Sequence, residues 1–168
     1  RGSRIAMVFQ EPSIALNPLM SIGEQISVPL RHDGGLTRRD ARSRATAACA
    51  SVSLDPSLLD RRPHEVSGGQ RQRACLAIAL ARDPAILVAD EPTTALDPTV
   101  QHEVLRLLDE LVERRGLGLL LVSHDLAVVA SRTDRVVVLE RGRVAETSPS
   151  AVLRAGNATS AAGRRLVR

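Results

Sequence analysis

The sequence contains no lysine, no tryptophan and no tyrosine, and Phe9 is its one aromatic residue. All 23 basic residues are therefore arginine. Chemistry that needs a lysine, such as a Schiff base or the phosphate-gripping lysine of a P-loop, is excluded within these 168 residues. The shortage of aromatics excludes recognition of single-stranded nucleic acid by base stacking. A net charge of +4 permits an anionic partner. The arginines are scattered, however, with no basic run longer than two residues, which reads as a solvated surface rather than a nucleic-acid patch. The only cysteines, Cys49 and Cys75, sit among Ala and Leu without C-x-x-C spacing, so they read as small buried hydrophobes and not as a disulfide or metal site. No apolar stretch approaches the ~20 residues that cross a bilayer. The start, Arg-Gly-Ser-Arg-Ile, is neither an initiator methionine nor a signal peptide.

What is present fits a globular chain: 43% hydrophobic and 25% charged residues, enough length to bury roughly 70% of the unfolded surface. Three runs are apolar at consecutive positions, Ala85 to Ala89, Leu117 to Val122 and Val136 to Leu139, and Ile5 to Phe9 is a fourth candidate. Such runs predict strands of a parallel sheet buried on both faces. Between the first two lies a helical stripe of Val100, Val104, Leu107, Leu108, Leu111 and Val112. Asp97 is its expected N-cap, Pro98 its first residue and Gly116 its stop. Strand–helix alternation of this kind is the α/β pattern. Residues 11–66 differ. Pro12, Pro18 and Pro29 punctuate them, Gly34-Gly35 reads as a loop, Thr37 to Val52 reads as an Ala- and Arg-rich helix, and Pro56 and Pro63 bracket a short segment. This stretch is predicted to be mostly helical. Beyond about residue 147 a short helix and a weakly ordered tail are expected.

Three clusters carry chemistry. Ser67-Gly68-Gly69-Gln70 precedes an apolar helix expected over roughly Arg71 to Arg82, and Ser67 with Gln70 matches a capping box. Two glycines in a first helical turn expose backbone N–H groups to which phosphate is drawn. Most such caps hold no ligand, so this cluster alone decides nothing. In Ile86-Leu87-Val88-Ala89-Asp90-Glu91, two adjacent carboxylates end a buried strand, where open α/β sheets bind ligands. One acid can act on Mg²⁺ through water while its neighbour polarises an attacking water. A capping acid would explain one carboxylate, not two. His124 follows the strand ending at Val122, where a neutral imidazole can contact phosphate or orient water. His32, His64 and His102 show no metal-ligand spacing.

Taken together and in order, Gln10, Ser67 to Gln70, Asp90-Glu91, Asp97 and His124 resemble the nucleotide-binding subunit of an ABC transporter. Gln10 matches the Q-loop, Val66-Ser67-Gly68-Gly69-Gln70 the signature motif and Ile86 to Glu91 the Walker B strand with its catalytic glutamate. Ala95-Leu96-Asp97 matches the D-loop and His124 the switch histidine. The resemblance runs from residue 4 to about 150. More finely, Phe9-Gln10-Glu11-Pro12 through Leu16-Asn17-Pro18, Ile22-Gly23-Glu24-Gln25-Ile26, Pro63-His64-Glu65 and Asp90-Glu91-Pro92-Thr93-Thr94-Ala95-Leu96-Asp97 look like the ATPases of dipeptide and oligopeptide importers, words shared with nickel and other small-solute importers. The signature begins with Val66 where Leu is usual. The tail from Ala155 lacks the aromatic, proline-rich extension common in that group. The family's Walker A loop lies upstream of the Q-loop and only nine residues precede Gln10, so the chain reads as N-terminally truncated.

The resemblance implies a P-loop-NTPase-like ABC ATPase core, a parallel sheet with flanking helices, plus a helical subdomain, without the N-terminal strands and the P-loop. Its divisions would be 1–10, ending in the Q-loop; 11–83, the helical subdomain with the signature; 84–147, the Walker B, D-loop and histidine part; and 148–168, a helix and tail. It implies ATP and Mg²⁺ as ligands. Glu91 would polarise the hydrolytic water and His124 contact the γ-phosphate. Asp90 would act on Mg²⁺ through water, and Gln10 would reach the metal while sensing the membrane partner. Ser67, Gly68, Gly69 and Gln70 would hold the nucleotide of the opposite subunit, and Asp97 would order the seam. The implied partners are a second ATPase subunit, a transmembrane permease and, indirectly, a solute-binding protein, with no nucleic acid. The implied place is the cytoplasmic face of the inner membrane. A soluble non-transport ABC ATPase would show a coiled-coil insertion or second cassette. A degenerate, non-enzymatic product would have only a binding role.

Overall fold

A computed structural model describes residues 4–32, 35–94 and 96–166. Gly34 of the expected loop and Ala95 of the D-loop match lie outside the described residues. The chain forms strand β1 (Ile5–Val8), helices α1 (Pro12–Ala15), α2 (Ile22–His32) and α3 (Arg38–Ser51), and two 3-10 turns at Pro56–Asp60 and Pro63–Glu65. Then follow α4 (Gly68–Leu80), β2 (Ile86–Asp90), α5 (Pro98–Arg115), β3 (Gly118–Val122) and α6 (Leu126–Arg132). The hairpin strands β4 (Arg135–Glu140) and β5 (Arg143–Pro149) and helices α7 (Ser150–Arg154) and α8 (Ala161–Leu166) complete it. Two compact units result, one ending at Leu120 and the other beginning at Leu121.

In the first unit, β1 and β2 pair in parallel with Ile5 opposite Ile86 and Val8 opposite Ala89, and the sheet order is β1-β2-β3. The expected α/β architecture is present. Val8, Leu87 and Ala89 are buried, with α4 packed against β1. The opposite face corrects the expectation of strands buried on both sides: Ile5, Met7, Phe9, Ile86 and Leu120 are exposed, because no element of the described residues covers them. Residues 11–66 are helical, as the absence of strand patterning implies. Ile22, Ile26 and Leu30 of α2 and Ala41, Ala45 and Ala48 of α3 are buried at helical spacing, and small alanines let the two packed helices approach. Thr37 caps α3 by accepting from Asp40 N. Asp97 caps α5, Pro98 is its first residue, and Gly116 stops it in the left-handed region at φ 59°. The helix expected from Arg71 starts earlier, at Gly68, because the cap at Ser67 outweighs the poor helix propensity of two glycines.

The second unit departs from the sequence expectation. Val136 to Leu139 does not join the parallel sheet; β4 pairs antiparallel with β5 in a two-stranded ribbon. Its burial alternates, Val136 and Val138 inward and Val137 and Leu139 outward, as a one-sided strand requires. The turn Arg141-Gly142 has positive φ at both residues (50° and 75°), the geometry that matches hairpin twist. The tail is likewise ordered. The buried Glu146 carboxylate of β5 accepts hydrogen bonds from Ser148 Oγ, from Thr159 N and Ser160 N, and from Ser160 Oγ, and so holds the chain leading into α8. Gly163 lies so close that a Cβ there would come within 2.5 Å of Glu146 Oε2.

Candidate functional site

The start of α4 is built by local rules. Ser67 has extended backbone, its Oγ accepts from Gln70 N at 3.2 Å, and Gln70 Oε1 accepts from Ser67 N at 2.9 Å, closing the capping box. The two glycines are not equivalent. A Cβ on Gly69 would lie 2.7 Å from Val100 Cγ1, so the first turn of α4 is pressed onto the start of α5. A Cβ on Gly68 would meet only Leu96 Cδ2, at an ordinary 3.9 Å. Packing accounts for Gly69 and leaves Gly68 to another explanation. Arg73, missed in the sequence reading, fixes the same contact: its guanidinium pairs with Glu103 of α5 at 2.8 Å and donates to Val52 O at 3.1 Å. Its place as the last polar residue of α4 before the apolar run from Ala74 was the available signal.

The end of β2 breaks a local rule. Asp90 is the last strand residue, and Glu91, the next, takes φ 44°, a left-handed conformation that side-chain-bearing residues avoid. Strain of this kind costs about 1–3 kcal/mol and collects at functional sites. A turn from Glu91 to Thr94 follows, with Thr94 N donating to Glu91 O at 3.4 Å and Leu96 N to Thr93 O at 3.1 Å. Pro92 and Thr93 are buried and pin it. The Thr94 hydroxyl donates to Glu91 Oε2, so Thr94 orients the carboxylate. Sequence reasoning placed Thr94 in a motif without giving it this bond. Asp97 spends its carboxylate on the α5 cap, accepting from Thr99 N and Val100 N, each at 3.1 Å.

Gln10 is exposed, two residues beyond Val8, and Glu91 is two residues beyond its partner Ala89. The parallel register thus leaves Gln10 and the Asp90-Glu91 pair at neighbouring strand ends. His124, in the second unit, is exposed in the link from β3 to α6. There Ser123 Oγ accepts from Asp125 N at 3.1 Å, and the Asp125 carboxylate caps α6 through Ala127 N and Val128 N. The structure therefore joins Ser67–Gln70 to the start of α5, and Glu91 to Thr94.

Among the described residues, no group of three or more His, Cys, Asp or Glu could hold a metal ion. Gln10 and Asp90 are oxygen donors of the type Mg²⁺ accepts, but that ion keeps several waters and shares itself with substrate phosphates. They fit a share in such a site, not a protein-only cage. Cys49 and Cys75 are free and buried, and burial pushes their thiols up to about 11 and about 12, which removes them from nucleophilic chemistry. No helix of the described residues is long and apolar enough to cross a membrane.

Comparison with known proteins bears on the family of the chain. The ABC transporter family model matches residues 1–94. A putative peptide import ATP-binding protein of Brucella melitensis is 47% identical over 151 residues, 89% of this chain and 45% of the relative. One from Brucella abortus is 48% identical over 151 residues, covering 46% of its length. The chain thus spans somewhat under half the length of these relatives. Among solved structures, cbiO1 of Clostridium perfringens, part of the ABC transporter complex cbiONQ, superposes with a TM-score of 0.78 at 29% identity, covering 92% of this chain and 63% of that one. A dimeric ATP-binding cassette in a post-hydrolysis state, bound to ADP and Pi, superposes with a TM-score of 0.73 at 31% identity, covering 88% and 64%. The chain belongs to the ABC transporter family and carries part of its ATPase domain.

Proposed function

We propose that the chain is the hydrolytic and signature-bearing part of an ATPase subunit that drives import of peptides or similar small solutes. The observation that carries this reading is Glu91: a carboxylate on a strained left-handed residue at a strand end, aimed by the Thr94 hydroxyl. Phosphoryl transfer to water needs positioning and charge neutralisation more than covalent chemistry. Glu91 accepts a hydrogen bond from the attacking water and takes up its proton as the γ-phosphate leaves ADP. Gln10 and Asp90, at the neighbouring strand end, would contribute oxygens toward Mg²⁺, which when bound neutralises phosphate charge. His124 would donate to the γ-phosphate.

Ser67, Gly68, Gly69 and Gln70 would present the α4 N-terminus to a nucleotide held by a second ATPase subunit. Gly68, bare without a packing reason, is where backbone and phosphate would come closest. Asp97 would then lie at the dimer seam, and residues 11–83 would receive a permease segment, the whole sitting on the cytoplasmic face of the inner membrane. Lysine and a glycine-rich phosphate cradle are missing from these 168 residues. They would come from the part of the relatives' length that the chain does not span. The uncovered apolar face of β1 and β2 supports this, since a further layer of the ATPase core would cover it. The 168 residues alone are expected to be inactive. The test is ATP turnover by a version extended to the relatives' length, with Glu91→Gln expected to stop hydrolysis while retaining nucleotide. Unchanged turnover would remove Glu91 from the mechanism.

A further inference from the structure

Helix α4 keeps one polar side chain fully inside. Gln72 is 1% exposed, and it begins a stripe that continues through Leu76 and Leu80, both buried. A leucine or methionine at 72 would extend that stripe, yet the position holds an amide. Among the described residues, Gln72 Nε2 is enclosed and meets no hydrogen-bond acceptor. Buried donors almost always find partners, because a donor without one costs the fold its lost hydration. Arg73, the next residue, shows the usual outcome, its guanidinium reaching both Glu103 and Val52 O. Side chains of an α-helix lean toward its N-terminus, so Gln72 shares the face of Gly68 and Gly69, four and three residues earlier. That face meets the entry to α5: a Cβ on Gly68 would lie 3.9 Å from Leu96 Cδ2, and one on Gly69 would lie 2.7 Å from Val100 Cγ1. The unpartnered amide thus belongs to the side of α4 where the glycine pair packs on the chain leading from the Glu91 turn into α5.

We propose that Gln72 is a positioning residue, its amide held in reserve for a backbone carbonyl at the entry to α5, such as that of Leu96. In the conformation described the donor is unsatisfied, and a small closing of α4 on α5 would bring it an acceptor. That closing accompanies nucleotide at the α4 start. Nε2 then donates and holds Glu91 and Asp97 in register with the glycine pair. A hydrogen bond missing from one conformation and made in the other favours the second, which an apolar residue at 72 could not do. The inference rests on reading Ser67–Gln70 as the nucleotide-facing start of α4, and adds a residue that touches no nucleotide itself.

The test is Gln72→Met, which nearly keeps the volume and removes the donor. In the 168-residue chain the urea midpoint should stay level or rise, because an unsatisfied buried group is gone. In the version extended to the relatives' length, kcat for ATP should fall about tenfold while KM changes little. Stability and turnover then move apart, the mark of a group kept for function at the fold's expense. A merely structural amide would behave in the opposite way, lowering the midpoint and leaving the turnover of the folded protein intact. Gln72→Leu repeats both measurements with a differently shaped apolar side chain. A lowered midpoint in both variants would make the amide a structural group and overturn the proposal. So would an unchanged kcat in an extended protein whose wild type hydrolyses ATP, and the ATPase reading would then stand. An extended wild type without turnover would remove that reading and this one together.

Discussion

The start of α4 and the turn after β2 are both short, polar and glycine- or carboxylate-marked, yet they are built on opposite terms. At Ser67–Gln70 each polar side chain closes a cap, and Gly69 is needed because Val100 presses against it. At Asp90–Thr94 the backbone turns left-handed at a glutamate, as it also does at Ser53, Asp83 and Arg141, but here beside a second carboxylate at the end of a parallel strand. Where local rules are obeyed, structure explains the sequence; where they are broken at a strand end, the reason is sought in chemistry. Gly68 stands between the two cases, in an obedient segment but without a packing partner that requires it.

Glu91→Gln should show the largest effect. In the extended protein it removes the proton acceptor at nearly constant shape, and turnover should fall by about 10²-fold or more with nucleotide affinity little changed. Stopped-flow phosphate release with parallel nucleotide titration checks it, and a fall in affinity matching the fall in rate would make Glu91 a folding residue instead.

Next come the paired glycines. Gly69→Val forces a side chain into Val100 and should cost about 1–3 kcal/mol of stability. Gly68→Asp should leave stability nearly unchanged, because an acid in the first helical turn is favoured, while it abolishes ATPase activity in the extended protein. Thermal melts beside activity assays separate the two, and equal destabilisation would erase the distinction between the glycines.

A third carboxylate, Glu146, is the control for a purely structural acid. Its hydrogen bonds from Ser148, Ser160 and Thr159 hold its carboxyl far below the usual value of 4.5. A depressed folded-state value means the stabilisation is full above the unfolded value and is lost as pH falls below about 4.5. Glu146→Gln should lower the urea midpoint at neutral pH, and the gap to wild type should narrow in acid. Ser67→Ala should give the smallest change, about 1 kcal/mol from the lost cap.

Much of this architecture is legible in the residues. The α5 helix announces itself through Asp97, Pro98, Gly116 and its apolar stripe, and the three runs at residues 5–9, 85–89 and 117–122 mark β1 to β3. The run at 136–139 marks β4 as a strand, but its partner β5 and the tail stay hidden, because β5 turns Glu146 and Ser148 inward and thereby inverts the apolar alternation that reveals a strand. The exposed face of β1 and β2 is invisible for a different reason: consecutive apolar residues state what a strand tolerates, not what happens to cover it. At the candidate site, residue positions are readable, while the left-handed Glu91 and its bond from Thr94 depend on a turn that only the folded chain fixes.

The central claim is a division of labour, with hydrolytic and signature groups in these 168 residues and the phosphate grip outside them. Isothermal titration of Mg-ATP decides it, first into the 168-residue chain and then into the version extended to the relatives' length. The expected result is little or no heat from the first and saturable binding, accompanied by hydrolysis, from the second. Micromolar affinity in the 168-residue chain alone, or an extended protein that still fails to bind, would contradict it.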